Sequence, residues 1–314
     1  MPWLLSGLGL VILLLAGDSL VKGAVNLSLR LGVPALIVSL TIVAFGTSAP
    51  ELLISVQAIL EGAPGLALGN VVGSNTANIL MVLGVPALLA TMHTSECDSR
   101  RTYMVMIGAS LLFIALAFRG VFDWIAGVVL LSVLAFVLSD ALRQARAHRK
   151  CEKADDEEEP EGADPDLPIW RIMVFLVLGL VGLPVGADLL VDNATIIAKD
   201  YGVSDVVIGL TLVAIGTSLP ELATTMMAAM RRQAEVALGN VIGSNMFNLQ
   251  AIIGVSSFVG QIPVDQEFLR FDLWVMLCAS ALLYPFVFMG RDITRIWGVV
   301  LSALYVIYLV ALLG

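Results

Sequence analysis

Leu40–Leu52 reads LTIVAFGTSAPEL and Leu210–Leu222 reads LTLVAIGTSLPEL, with ten of thirteen positions identical at an offset of 170 residues. The same offset aligns LGNVVGSNTAN (Leu68–Asn78) with LGNVIGSNMFN (Leu238–Asn248), where eight of eleven positions match, and it pairs Asp18 with Asp188 without a gap. Self-similarity over separated blocks at a constant offset marks a duplicated structural unit. Each polar block is embedded in apolar sequence, and that combination decides the fold class.

Of the 314 residues, 59% are hydrophobic and 14% charged, against roughly 45–50% and about 25% in soluble domains. This composition excludes a soluble enzyme, a disordered chain and a secreted disulfide scaffold. Crossing a hydrocarbon core takes about 20 apolar residues per helix. Apolar runs fall at about 3–29, 33–60, 65–91, 102–119, 122–142, 168–193, 203–230, 235–262, 271–290 and 293–313. The expected fold is an all-α polytopic membrane protein of ten transmembrane helices. Each copy of the repeat holds five spans, an odd number, so the second copy enters the membrane from the opposite face. Residues 1–142 and 168–314 then form two inverted-topology repeats, a plan of secondary transporters with the site at the midplane between the copies.

The segment between them, 143–167, is the one long polar stretch. It opens basic and turns acidic: nine of the 26 acids lie between Glu152 and Asp166, so the net charge of −9 is largely a property of this segment. It reads as a solvated linker. No basic face exists to neutralise phosphates, which argues against a nucleic-acid partner. The cysteines, Cys97, Cys151 and Cys278, have no metal or disulfide spacing. Met1-Pro2-Trp3 lacks the positive region of a signal peptide, so the first apolar run is read as a retained span. With the N-terminus outside, 14 Lys and Arg fall in inner loops and three (Arg119, Lys199, Arg270) in outer ones. Positive residues favour the cytoplasmic side, which places both termini outside and the linker in the cytoplasm.

Glu51 and Glu221 sit in the middle of apolar spans with no deep basic residue to pair them. An ionised group at the bilayer centre costs at least about 2.5–3.5 kcal/mol on insertion scales, and a bound cation is the evident counter-charge. Each glutamate follows a proline, Pro50 or Pro220, which removes the helical partner of the carbonyl four residues earlier, on Gly46 or Gly216. The backbone is expected to break there, and free backbone at membrane depth lines a cavity or is buried in protein. Helical spacing places Ala44, Thr47 and Glu51 on one face, with Ser48 three residues before the glutamate; Ala214, Thr217, Ser218 and Glu221 repeat the pattern. Ser74 with Asn78, and Ser244 with Asn248, are i, i+4 pairs on the third and eighth spans. Carboxylates, hydroxyls, amide oxygens and carbonyls suit hard cations such as Na⁺ and Ca²⁺, and the set contains no His or Cys for zinc or copper. Gly69, Gly73, Gly239 and Gly243 form small-xxx-small pairs for close helix packing. Asn70 and Asn240 read as structural hydrogen-bond donors to the broken helices, and Asp18 and Asp188 as hydrated or helix-capping groups.

GTSAPE with GNVVGSN, repeated as GTSLPE with GNVIGSN, resembles the two α-repeats of the calcium/cation antiporter superfamily, specifically its prokaryotic sodium/calcium exchanger branch. The resemblance covers nearly the whole chain. It implies cation sites clustered among the second, third, seventh and eighth spans, and alternating access by sliding of the first and sixth. It implies that Glu51 and Glu221 bind Ca²⁺ and Na⁺ in turn. It also matches Thr47, Ser48, Ser74, Asn78 and the Ala44 carbonyl, and Thr217, Ser218, Ser244, Asn248 and the Ala214 carbonyl, to the family's ligands. Asn at both 78 and 248 is the pattern of potassium-independent members, whereas the potassium-dependent branch has Asp. The linker is too short to fold as the regulatory calcium-binding domains of larger members.

The function expected is therefore Na⁺/Ca²⁺ antiport at a midplane site. Two glutamates balance one Ca²⁺; three Na⁺ in its place would leave one positive charge uncompensated. The runner-up is a Ca²⁺/H⁺ or other cation/H⁺ antiporter, because protons compete with cations for buried carboxylates. A channel would pass ions without a counter-ion. An enzyme lacks support, since no nucleophile–base pair accompanies the glutamates. No cofactor and no obligatory protein partner are expected, only the bilayer of a prokaryotic cytoplasmic membrane and small inorganic cations.

Overall fold

The computed structural model describes residues 1–151, 164, 167–202 and 214–313, without the side chains of 144–151, 214, 267 and 313. The linker 143–167 lies mostly outside the described residues, as does the entry to the seventh apolar run at 203–213.

The described chain is helical nearly throughout. Its helices are α1 (Pro2–Leu31), α2 (Ala35–Thr47), α3 (Ala49–Leu60), α4 (Pro64–Leu89), α5 (Arg100–Ala117), α6 (Trp124–Arg143), α7 (Ile169–Asp200), α8 (Ala214–Thr217), α9 (Leu219–Met230), α10 (Ala234–Val259), α11 (Phe268–Phe288) and α12 (Arg295–Leu312). Among the described residues, eight are long and apolar enough to span a bilayer, and α2 with α3 forms one further candidate span, bent by 41°. In the second repeat, α8 and α9 stand where α2 and α3 stand in the first. This is the polytopic helical architecture that the apolar runs predict.

Burial sorts the helices by role. The hydropathic windows of α4 and α10 are 83% and 94% buried inside the protein, whereas the outer helices α6, α7 and α12 are mostly exposed. Apolar side chains facing outward, such as Leu15, Phe136, Val181 and Ile307, are what lipid contact requires. Polar α4 and α10 therefore form the centre, and apolar helices surround them.

Helices α1 and α7 have 30 and 32 residues, about 45–48 Å at about 1.5 Å per residue. That exceeds a hydrocarbon core of about 30 Å, an excess that tilt absorbs. They run antiparallel against each other. Leu20 packs on Gly179, Ala16 on Gly182 and Leu13 on Gly186. At Gly186 an added Cβ would lie 2.8 Å from the Leu13 main-chain nitrogen, so the missing side chain is what admits the close approach.

Two short pairings reveal the inverted symmetry. On the face that holds the N-terminus, strand β1 (Val121–Phe122) pairs antiparallel with β2 (Ile262–Pro263), with Phe122 opposite Ile262. On the opposite face, which holds the linker ends, Met92 bridges Ile293. The offset of 170 carries Met92 onto Ile262 and Ile293 to within one residue of Phe122, so the two copies make corresponding contacts, shifted by one in register, on opposite faces. Beside the Met92–Ile293 bridge, Asp292 accepts hydrogen bonds from the Ser95 hydroxyl (2.7 Å) and amide (3.1 Å), and His93 Nδ1 lies 2.9 Å from its other oxygen. Partial burial alone would raise the Asp292 carboxyl, but the Ser95 and His93 contacts outweigh it and hold it below its ordinary value.

Candidate cation site

The bent span creates the site. Helix α2 ends at Thr47, Ser48 has φ −85° and ψ 2°, and α3 restarts at Ala49 with Pro50 in its first turn. Proline fits there because a first-turn amide has no helical partner to lose. Ser218 (φ −91°, ψ 5°) separates α8 from α9 in the same way. The break expected from the proline thus falls on the serine, two residues after the glycine. Glu51 and Glu221 lie in the first turns of the restarted helices, where the helix dipole favours negative charge.

Two copies of this break face the polar centres of α4 and α10. Glu51, Thr47 and Asn78 are each 1% exposed, and Glu221, Ser218, Ser244 and Asn248 are fully buried. Ser48 and Ser74 are buried as well, and Ala44 packs among Leu134 and Phe247. Glu221 Oε1 accepts from the Ser48 hydroxyl of the first repeat and the Ser244 hydroxyl of the second, each at 3.4 Å. Thr47 Oγ1 lies 3.3 Å from the Ala44 carbonyl, 3.3 Å from Asn240 Oδ1 and 3.4 Å from Ser244 Oγ. Asn78 Nδ2 donates to Asn245 Oδ1 at 3.1 Å. The structure therefore gathers Thr47, Ser48, Glu221 and Ser244 directly, across a sequence gap of more than 170 residues.

Among the described residues several buried oxygens there have no partner: Oε2 of both glutamates, Oδ1 of Asn75, Asn78 and Asn248, and Oγ of Ser218. Among the described residues no Lys or Arg pairs with either glutamate; ion pairs engage Asp18, Asp123, Asp140 and Asp292 instead. Buried polar atoms normally carry a partner, and buried charges are paired or coordinate a metal. Buried carboxylate, amide and hydroxyl oxygens without partners are the donor types that suit a hard cation.

The remaining expected positions are placed less centrally. Thr217 is half-buried and lines a cavity of about 120 Å³ with Pro50, Ile54, Pro184, Asp188 and Asp192. Ala214 begins α8, and the Ser218 amide bonds to Ile215 rather than following the Ser48-to-Ala44 pattern of the first repeat. Gly239 and Gly243 pack as expected: a Cβ at Gly243 would lie 2.6 Å from both the Leu40 carbonyl and the Ala44 Cβ. A Cβ at Gly69 or Gly73 would meet none of the described residues, and the partners matching by the repeat offset, Val206 and Leu210, lie outside them. Asn70 and Asn240 do brace the broken helices, donating to the Glu51 and Glu221 main-chain carbonyls at 3.5 and 3.3 Å. Asp18 is a correction. Read as a hydrated or helix-capping group, it instead forms ion pairs with Lys22 (2.9 Å) and Arg231, tying α1 to the end of α9.

Sequence reading missed two features. Asn75 and Asn245 exchange hydrogen bonds, each side-chain amide donating to the other's main-chain carbonyl at 3.1 and 3.3 Å. Their recurrence at the 170-residue offset was the available signal. Helices α2, α4 and α10 also contain π-helical turns at Ser39–Val43, Asn78–Val82 and Asn248–Ile252. Such turns frequently occur at functional sites, and here Asn78 and Asn248 open two of them. Gln250, inside the last, is fully buried with no partner for its amide; Leu80 stands at its repeat position, so no repeat pattern marked it.

The sequence profile of the sodium/calcium exchanger protein family matches residues 1–139 and 171–314. The chain belongs to the sodium/calcium exchanger family. This exchanger is 36% identical over 312 residues to the putative antiporter CaxA of Alkalimonas amylolytica, covering 96% of this chain and 95% of that one. It is 34% identical to the sodium/calcium exchanger MaX1 of Methanosarcina acetivorans, covering 97% and 96%. Its fold matches a solved structure of the sodium-calcium exchanger NCX_Mj soaked with Na⁺ and Sr²⁺, with a TM-score of 0.83 and 33% identity over 98% of this chain and 97% of that one. The protein is thus an integral membrane transporter of the cation/Ca²⁺ exchange class, and not an enzyme.

Proposed function

We propose that this exchanger couples Na⁺ to Ca²⁺, binding the two ions in turn at one midplane site. The site comprises Ala44, Thr47, Ser48, Glu51, Ser74 and Asn78 from the first repeat, and Ala214, Thr217, Ser218, Glu221, Ser244 and Asn248 from the second. The observation that carries this reading is the pair of fully desolvated carboxylates. Among the described residues each has an oxygen without a partner and no basic residue paired to it, and the other oxygen of Glu221 accepts from two serine hydroxyls. A divalent ion neutralises both; monovalent ions must enter in greater number to do the same.

Access supports a two-state cycle. The cavity at Thr217 lies between α7 and the broken helices in the half nearer the N-terminal face. In the other half, α1 closes on α9. A Cβ at Gly17 would stand 2.9 Å from the Ala223 carbonyl, and Asp18 grips Arg231. The charge asymmetry of the loops favours a cytoplasmic linker face, so the cavity lies on the outer side of the buried site, with both termini outside a prokaryotic cytoplasmic membrane. In the alternate state the inverted repeats exchange roles, and the site faces inward. The moving elements are the first and sixth spans, α1 and α7, one from each of the repeats 1–142 and 168–314, and 143–167 is the cytoplasmic connection between the repeats.

The deciding experiment is Ca²⁺ uptake into proteoliposomes, driven by an outward Na⁺ gradient or by a pH gradient. Uptake that follows the Na⁺ gradient is expected. Uptake that follows only the pH gradient overturns Na⁺ coupling, and Ca²⁺ flux without any counter-ion overturns exchange.

A further inference from the structure

Asn240, fully buried on α10, is tied to both halves of the site. Its Nδ2 donates to the Glu221 main-chain carbonyl at 3.3 Å and to Thr225 Oγ1 at 3.1 Å. A carbonyl oxygen can only accept, so the nitrogen end of the amide must face α9. That fixes the oxygen end toward the first repeat, where the Thr47 hydroxyl donates to it at 3.3 Å.

The direction of that bond matters for ion binding. A hydroxyl that ligates a cation turns its lone pairs to the ion and its proton away, and the proton then needs an acceptor. Thr47 has three other neighbours. The Ala44 carbonyl, also at 3.3 Å, and the Glu221 carboxylate are themselves cation ligands in the proposed site, and the Ser244 hydroxyl is directed at Glu221. With an ion bound, Asn240 Oδ1 is the acceptor left for the Thr47 proton. We infer that Asn240 is a positioning residue that makes Thr47 present its oxygen, rather than its proton, to the transported cation. This rests on the site proposed above and assigns Asn240 a role distinct from ligation or helix packing. Asn70, its counterpart, reaches Glu51 O and Ser55 Oγ at 3.5 and 3.3 Å. The bond to Thr47 of the other repeat is therefore additional to the bracing bonds that both asparagines make.

The test is a double-mutant cycle on Ca²⁺ affinity, measured by calorimetry on the purified full-length protein in detergent: wild type, Thr47→Val, Asn240→Leu and the double variant. Groups that orient metal ligands are worth roughly 10-fold to 100-fold in affinity. Each single change is expected to weaken binding in that range, and the double variant to lose far less than the product of the two, because both remove the same interaction. A double loss equal to the product, or wild-type affinity in Thr47→Val, overturns the inference. Asn240→Asp serves if Asn240→Leu does not fold. It keeps an acceptor for the Thr47 proton and loses the N–H donors, so Thr47→Val must still cost its full factor in that background; no added cost there overturns the inference as well. A residue that only packed helices would change the amount of folded protein and leave the affinity unmoved. Calcium binding without Na⁺-driven uptake would refute the counter-ion and leave this inference standing, whereas an additive cycle in a protein that exchanges Na⁺ for Ca²⁺ would refute this inference alone.

Discussion

Replacing Glu221 with Gln removes one of two charges from the site at almost constant shape. Glu221 is fully buried, Oε1 has two hydroxyl donors at 3.4 Å, and Oε2 has no partner. Removing one member of a buried charge pair costs about 3–5 kcal/mol. At about 1.4 kcal/mol per tenfold, Ca²⁺ affinity should fall by roughly two to three and a half orders of magnitude. Without cations the sign reverses: the wild type then buries an uncompensated carboxylate, which the variant lacks. Glu221→Gln should therefore be at least as stable as wild type in a cation-free buffer. With Ca²⁺ at about 100 times the wild-type dissociation constant, ligand linkage adds about 2.7 kcal/mol of stability to the wild type and almost none to the variant.

The assay is thermal unfolding of both proteins in detergent, in chelator and across a Ca²⁺ titration, followed by uptake measurements in proteoliposomes. Curves that cross, with the variant equal or higher in chelator and the wild type higher in Ca²⁺, are the expected result. A variant less stable in chelator, with Ca²⁺ affinity within tenfold of wild type, would show that Glu221 is a packing residue. The same outcome for Glu51→Gln would remove the argument for a carboxylate pair.

Three further outcomes are expected. Asn248→Asp adds a third buried carboxylate to the proposed site; a proton or an additional monovalent cation would relieve its repulsion with Glu51 and Glu221. Na⁺-driven Ca²⁺ uptake should then become more sensitive to acid and acquire a response to K⁺, and superimposable pH profiles would place Asn248 outside the ion site. A cysteine at Glu61 should be labelled only from outside and one at Ala154 only from the cytoplasm, with the reverse pattern inverting the orientation. Native Cys97 does not interfere, because burial, with Glu235, Glu96 and Asp292 adding, raises its thiol to about 12. Asp292, held below its ordinary value, contributes stability that is complete above the normal carboxylate range and lost as pH falls through the lowered value. Asp292→Asn should accordingly lower the unfolding midpoint at neutral pH and converge with wild type in acid, and a deficit constant with pH would refute the contact.

The fold class was legible because the bilayer constrains sequence more strongly than water does. Apolar runs long enough to span, an odd number per repeat and a constant 170-residue offset leave few other arrangements. The helix breaks were legible through Pro50 and Pro220, although the backbone departs from helix at Ser48 and Ser218 rather than at the glycines. The π turns were not legible, since no residue type encodes an extra residue in a helical turn; they emerge where α2, α4 and α10 pack. Asp18 misled for a similar reason. Its partner Arg231 lies 213 residues away, and nothing local signals the pairing.

What the duplicated motifs conceal is their difference. Ser48 donates to Glu221, while the Ser218 hydroxyl has no partner among the described residues. The Ser48 amide reaches back to Ala44 in an α-helical turn, while the Ser218 amide stops at Ile215 in a tighter one. Asp18 is closed on Arg231. By the repeat offset Arg231 corresponds to Glu61, which bonds Gln57, so the mirror-image closure would bring Asp188 toward another acid instead of a guanidinium. A transporter built from two inverted copies can be open to one face only if the copies differ in conformation. In the cycle proposed here, the near-identical GTS-PE motifs supply the ion site of both states, and the dissimilar residues around them, Arg231 against Glu61 above all, set which face is open.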